Sequence, residues 1–144
     1  MTASKRAYPR FLLYSEYNNL WQVKLNDNAT AATSLRIPLT EYIYSPAALD
    51  YNYLDEKVYW ADASLNTISR ALLDGSSQET IVSTRLQNPY GLAVDPFGQN
   101  VYWTNTFEKV IEVASLDGLY RRVLIRDDLL YPSEIVLDVT RGYD

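Results

Sequence analysis

The sequence predicts an all-β chain assembled from propeller blades, each of four short antiparallel strands, repeating about every 43 residues. Three observations predict it. Pro46, Pro89 and Pro132 stand at even intervals of 43 residues, and many of the residues after each proline recur at the same offset. Turn-forming residues return every ~8–12 residues, as they do in chains of short strands. No apolar stripe of helical period lasts three turns, while 13 Tyr and 3 Trp favour half-buried pleated surfaces.

Each unit reads as four strands in chain order. Ala48 to Tyr51, repeated as Gly91 to Val94, is small and apolar and suits an inner strand with close neighbours. Lys57 to Ala61 and Asn100 to Thr104 form the second strand, carrying Val58-Tyr59-Trp60 and Val101-Tyr102-Trp103. Thr67 to Leu72 and Val110 to Ser115 alternate in polarity, as a half-buried strand does. Leu73-Asp74-Gly75 and Leu116-Asp117-Gly118 then supply a tight turn, both Asp and Gly being expected at positive φ. Glu79 to Ser83 and Arg122 to Arg126 are charged enough for an outer edge. Residues 11–45 read as an incomplete unit without a first strand: Phe11 to Ser15 is its second strand, Leu20 to Leu25 its third and Ser34 to Ile37 its fourth. Residues 46–88 and 89–131 are complete units. Residues 132–144 open another, with Ile135, Leu137 and Asp138 repeating Leu92, Val94 and Asp95. Residues 1–10 form a polar tail.

Units of this length with four strands are propeller blades. Tyr59-Trp60-Ala61-Asp62 and Tyr102-Trp103-Thr104-Asn105, with Leu92-Ala93-Val94-Asp95-Pro96 and the Leu-Asp-Gly turns, resemble the YWTD motif of LDL-receptor class B repeats. The likeness runs from Phe11 to Gly142. Within that family the chain is most similar to propellers of the Wnt co-receptor and agrin-receptor type, through Phe11 to Tyr14, Ser64 to Ala71 and Val110 to Val113. The resemblance implies a partial six-bladed β-propeller of about three blades, on the extracellular side of the plasma membrane within a larger receptor, that binds secreted protein ligands or peptides and is not an enzyme. A spacer or endocytic-receptor propeller is the alternative. The chain departs from the motif at Ala61 (Thr in the family), Asn105 (Asp in the family) and Asn52, which replaces the Asp seen at Asp95 and Asp138. These losses are expected to weaken inter-strand bonding, with Asn keeping an acceptor in place.

The resemblance also nominates a site. Family partners dock on one rim, built from the link between strand four and the next strand one and from the turn between strands two and three. The matching positions here are Ser45, Ala63, Asn88, Tyr90, Thr106, Phe107, Tyr131 and Ser133. Tyr90, Phe107 and Tyr131 serve equally well as ligand contacts or as packing against the next blade. Tyr59, Trp60, Asp62, Tyr102, Trp103 and Asn105 are structural motif residues, the aromatics packing between blades. Asp74 and Asp117 are turn formers. Asn28-Ala29-Thr30 is an N-glycosylation sequon at a strand turn.

Composition narrows the rest. Eighteen Asp plus Glu against 13 Lys plus Arg give a net charge of −5, which argues against nucleic acid and for basic protein surfaces. With no Cys and no His, thiol catalysis, Cys-ligated zinc, Ser-His-Asp chemistry and His-driven pH switching are excluded for this chain. A propeller lactonase or hydrolase would need polar residues at equivalent inner-strand positions, whereas residues 48–51, 92–95 and 135–138 are mostly apolar. No cofactor and no metal site is implied. Residues 1–10 carry no apolar signal core and no stretch could span a membrane as a helix, so an export signal and any membrane contact are expected outside this sequence. Six blades need nearly twice this length, so the ends of the arc lie open. Truncation of a longer protein is the expected reason, ahead of closure by a second copy.

Overall fold

The computed structural model describes residues 10–26, 28 and 31–139. Among these there is no helix. Eleven strands make three successive antiparallel sheets. The first holds β1 (Phe11–Glu16), β2 (Asn19–Leu25) and β3 (Ala31–Arg36). The second holds β4 (Pro46–Asn52), β5 (Lys57–Asp62), β6 (Thr67–Leu72) and β7 (Glu79–Val82). The third holds β8 (Pro89–Asp95), β9 (Asn100–Asn105), β10 (Val110–Ser115) and β11 (Arg122–Ile125). Strand order follows chain order in every sheet, the up-and-down pattern of propeller blades.

The 43-residue period extends to the backbone. Glu56 and Gln99, Asn66 and Lys109, Gly75 and Gly118, Ser77 and Tyr120, and Arg85 and Asp128 all take positive φ, though four of these five pairs differ in residue type. Bulges recur as well, at Pro46/Ala48 and Pro89/Leu92 and again at Ile68/Ser69 and Ile111/Glu112. In the Leu-Asp-Gly turns only the glycine has positive φ, 82° at Gly75 and 83° at Gly118, contrary to the expectation for both residues. The Asp instead holds the turn with its carboxylate: Asp74 accepts from the Ser76 hydroxyl and amide, and Asp117 from the Ser115 hydroxyl and the Leu119 amide. Each glycine also lets two sheets meet, since a Cβ at Gly75 would collide with the Pro38 carbonyl oxygen and one at Gly118 with that of Ile81.

The core lies between sheets, and the pleat explains how. Successive side chains of a strand point to opposite faces. Trp60 and Val58 therefore face the first sheet, packing with Leu20, Ile37 and Ile43. Tyr59 and Ala61 face the third, packing with Leu92, Val94, Val101 and Trp103. The first sheet has three strands, matching the incomplete unit, although its last strand runs Ala31–Arg36 and so starts earlier than the sequence suggested. The inner strand expected from Pro132 does not form: residues 132–139 belong to no strand. An inner strand pairs with the second strand of its own blade, and none of the described residues supplies that strand. The segment nonetheless follows the third sheet, with Thr104 Oγ1 donating to the Ser133 carbonyl at 2.6 Å and Thr106 Oγ1 to that of Pro132 at 2.8 Å.

Candidate functional site

The second strands fix one end of the blades. Asp62 is fully buried and accepts four backbone N–H bonds, from Tyr44 and Ser45 in the link entering its blade and from Ser64 and Leu65 in the turn leaving β5. Asn105 does the equivalent work with mixed polarity. Its Oδ1 accepts from the Gln87 amide at 2.9 Å, while its Nδ2 donates to the Arg85 carbonyl and to Glu112 Oε2. Asn at this position therefore still ties the link down, through the Gln87 amide and the Arg85 carbonyl, while the buried Glu112 carboxylate accepts its remaining amide proton. Glu112 also accepts from Trp103 Nε1 and, twice, from the Arg121 guanidinium. Asn52 keeps its acceptor too, taking the Leu54 amide at 3.0 Å. Thr104 shows what Ala61 lacks: its hydroxyl accepts from Gly91 and donates to Ser133.

These ties bring the links and the strand two-to-three turns together. The Ala63 amide donates to the Ser45 carbonyl at 2.9 Å, Thr106 to Asn88 at 3.4 Å, and Phe107 to Gln87 at 3.2 Å. Asn88 is held further by its amide bond to Asn66 Oδ1. At the position equivalent to Asn66, Lys109 instead places its ammonium 5.8 Å from the Tyr131 ring centre. Within this rim Ser45, Ala63 and Asn88 are half-buried and Thr106 is buried, so Thr106 presents little to a partner and serves to hold Pro132. Tyr90, Phe107, Tyr131 and Ser133 are exposed. The sequence reading missed Tyr17, Tyr42 and Tyr44, also exposed at this end, where Tyr42 accepts from Asn18 and contacts the Tyr44 ring edge-on. The signal available was the aromatic pair two residues apart in the link before Pro46.

Tyr59, Trp60 and Trp103 are buried, whereas Tyr102 is half-buried because, among the described residues, no sheet covers the far face of the third blade. Burial first, and the bond to Asp55 Oδ2 with it, pushes the Tyr59 phenol up to about 12, despite the opposing Arg70 guanidinium. Asn28 lies exposed in a turn with its amide on Asn26 Oδ1; Ala29 and Thr30 of its sequon lie outside the described residues. Among the described residues no three acidic, His or Cys side chains gather as metal ligands, and no helix is long and apolar enough to cross a membrane.

The profile of the family described as low-density lipoprotein receptor repeat class B matches residues 56–96 and 99–139. The chain belongs to this family. Low-density lipoprotein receptor-related protein 4 of Homo sapiens is 38% identical over 93 residues, which is 65% of this chain and 5% of that protein. Low-density lipoprotein receptor-related protein 5 of Mus musculus is 41% identical over 88 residues, 61% of this chain and 5% of that one. A solved structure titled as a nidogen/laminin complex superposes with a TM-score of 0.82 at 33% identity, covering 92% of this chain and 50% of its own. The chain thus spans a small fraction of the receptors it matches and half of the solved chain. In class B repeat terms, Tyr59 to Asp62 and Tyr102 to Asn105 are the two YWTD segments, and their acidic or amide ends are the residues that pin the rim.

Proposed function

We propose that this chain is part of an extracellular receptor propeller that binds secreted protein ligands at the rim of links and strand two-to-three turns, without catalysis. The observation that carries the reading is the set of exposed aromatics, Tyr42, Tyr44, Phe107 and Tyr131, mounted on loops that Asp62, Asn105 and Thr106 hold to the sheets. Rigid loops carrying aromatic side chains lose little entropy on binding and make strong anchors. The acidic balance of the chain favours basic partner surfaces. Similarity to receptor-related proteins 4 and 5 supports an extracellular receptor, with Wnt-pathway or agrin-like ligands as the first class to test. The exposed turn position of Asn28 supports N-glycosylation.

The test uses surface-captured chain against a panel of purified Wnt, agrin and laminin fragments. Tyr44→Ala, Phe107→Ala and Tyr131→Ala are compared with Tyr53→Ala and Phe97→Ala at the opposite end of the blades. Loss of about tenfold or more for rim variants of unchanged melting temperature is the expected result, as for anchor residues. Binding that survives all three and is lost at Tyr53 or Phe97 overturns the assignment.

A further inference from the structure

We infer that a groove between the second and third blades is a binding site for a short sulfated stretch of an extracellular polysaccharide. The groove is bounded by the link after β7 on one side and by β10 and β11 on the other, apart from the aromatic positions of the rim. Only the source of the sulfates rests on the extracellular reading given above.

Four arginines, Arg85, Arg121, Arg122 and Arg126, and two glutamates, Glu108 and Glu112, line this groove of about 420 Å³. Arg121 and Glu112 neutralise each other, with side chains 13% and 8% exposed. The other three arginines are exposed, and among the described residues none of their guanidiniums has a hydrogen-bond or ion-pair partner. Positive charge is thus concentrated here in a chain whose net charge is −5. Unpaired like charges brought together repel one another, and a bound anion removes that repulsion.

The repeat shows that the fold does not require these charges. At the 43-residue offset, the junction between the first and second blades carries Tyr42, Gln78, Glu79 and Ser83 in place of Arg85, Arg121, Arg122 and Arg126. There Gln78 ties the link down by bonding the Thr40 and Glu41 backbone. Arg121 does the equivalent work through the Thr84 and Arg85 carbonyls. The side chains of Arg85, Arg122 and Arg126 add no hydrogen bond to the framework, so their presence at one junction and not the other is free to serve a ligand. Arg85 is also well mounted for this. Its carbonyl accepts from Asn105 Nδ2 at 2.9 Å and from Arg121 at 2.8 Å, which fixes the backbone that carries the side chain.

The chemistry selects the occupant. A guanidinium offers a planar fork of donors that pairs two oxygens of one oxyanion, and it is weakly hydrated. Three such groups along an open groove match several oxyanions on one short chain better than a single ion. A long polyanion would meet the repulsion of the acidic chain as a whole, so a short segment is favoured. Outside the cell, sulfated polysaccharide supplies oxyanions in that form.

Titration calorimetry of the whole chain at low ionic strength tests this with a heparin-derived hexasaccharide, its desulfated form, polyglutamate and inorganic sulfate. The sulfated hexasaccharide is expected to bind, less tightly as salt rises, and the desulfated form is not. Arg85→Gln with Arg126→Gln should weaken binding by about tenfold or more at unchanged melting temperature. Glu108→Gln, which removes the one lining carboxylate that Arg121 does not pair, should strengthen it. Lys24→Gln, at an exposed position of the first sheet, should leave it unaltered. Tyr44→Ala in the rim should also leave it unaltered, so that failure at the rim and failure at the groove are told apart. A sulfated hexasaccharide that does not bind, that binds the double variant as tightly as the parent, or that binds equally without its sulfates would overturn the inference. Tighter binding of polyglutamate would overturn it in favour of an acidic peptide. Inorganic sulfate competing equally at the same sulfate concentration would overturn it in favour of a single-anion site.

Discussion

Replacing Glu112 or Arg121 should be far more damaging singly than together. Their side chains are 8% and 13% exposed, the guanidinium bonds the carboxylate through Nε and a terminal nitrogen at 2.9 Å each, and Trp103 and Asn105 donate to the same carboxylate. Arg121 also reaches the Thr84 and Arg85 carbonyls, so the pair staples the third blade to the link before it. Glu112→Ser alone strands a mostly buried cation and two N–H groups, and Arg121→Gln alone strands a buried carboxylate. Each should cost ~3–5 kcal/mol, the range for breaking a buried pair from one side. The second blade fills the same positions without charge: the Ser69 hydroxyl meets that of Thr80 at 3.1 Å, and Gln78 bonds the Thr40 and Glu41 backbone. The double variant, carrying those residues, should therefore cost only ~1–3 kcal/mol, a coupling of at least ~3 kcal/mol. Urea titrations followed by tryptophan fluorescence measure all four corners of the cycle. Single variants each within ~1 kcal/mol of the parent, or additive effects, would refute the reasoning.

Trp60→Ala and Trp103→Ala should each destabilise by ~3–5 kcal/mol, while Tyr102→Ala, at the uncovered end, should cost clearly less; chemical denaturation ranks them, and equal costs would contradict the packing described. Gly118→Ala should lower the melting temperature well beyond the ~1 kcal/mol of an ordinary Gly-to-Ala change, because positive φ and the Ile81 carbonyl both oppose a Cβ; a melt unchanged from the parent would show the junction to be loose. Tyr59 has a folded value near 12 against about 10 unfolded, so its contribution is complete below pH 10 and falls away as pH rises from there to about 12. Tyr59→Phe should flatten that alkaline loss in melts recorded across the window, and an unaltered slope would place the proton loss elsewhere.

The sequence alone determined the blade period, the order of strands and the family. Those properties are local: proline spacing, period-two alternation and Asp-Gly turns repeat within 43 residues and need no distant partner. It also made plain that Asn52 and Asn105 retain an acceptor, since that is a property of the amide itself. Tertiary structure decided the rest. Tyr59 and Tyr102 are the same residue in the same motif, and only the presence or absence of a following sheet makes one buried and the other half-buried. Positive φ at Lys109 and Tyr120 was hidden because neither residue type favours it; the blade geometry imposes it. The role of Glu112 was equally hidden, since its partners Trp103, Asn105 and Arg121 are set by strand pairing and by the link, not by any motif around it. Residues 132–139 have the pattern of a strand and fail to become one, because strand formation depends on a neighbour with a free edge, which no pattern within the segment can supply.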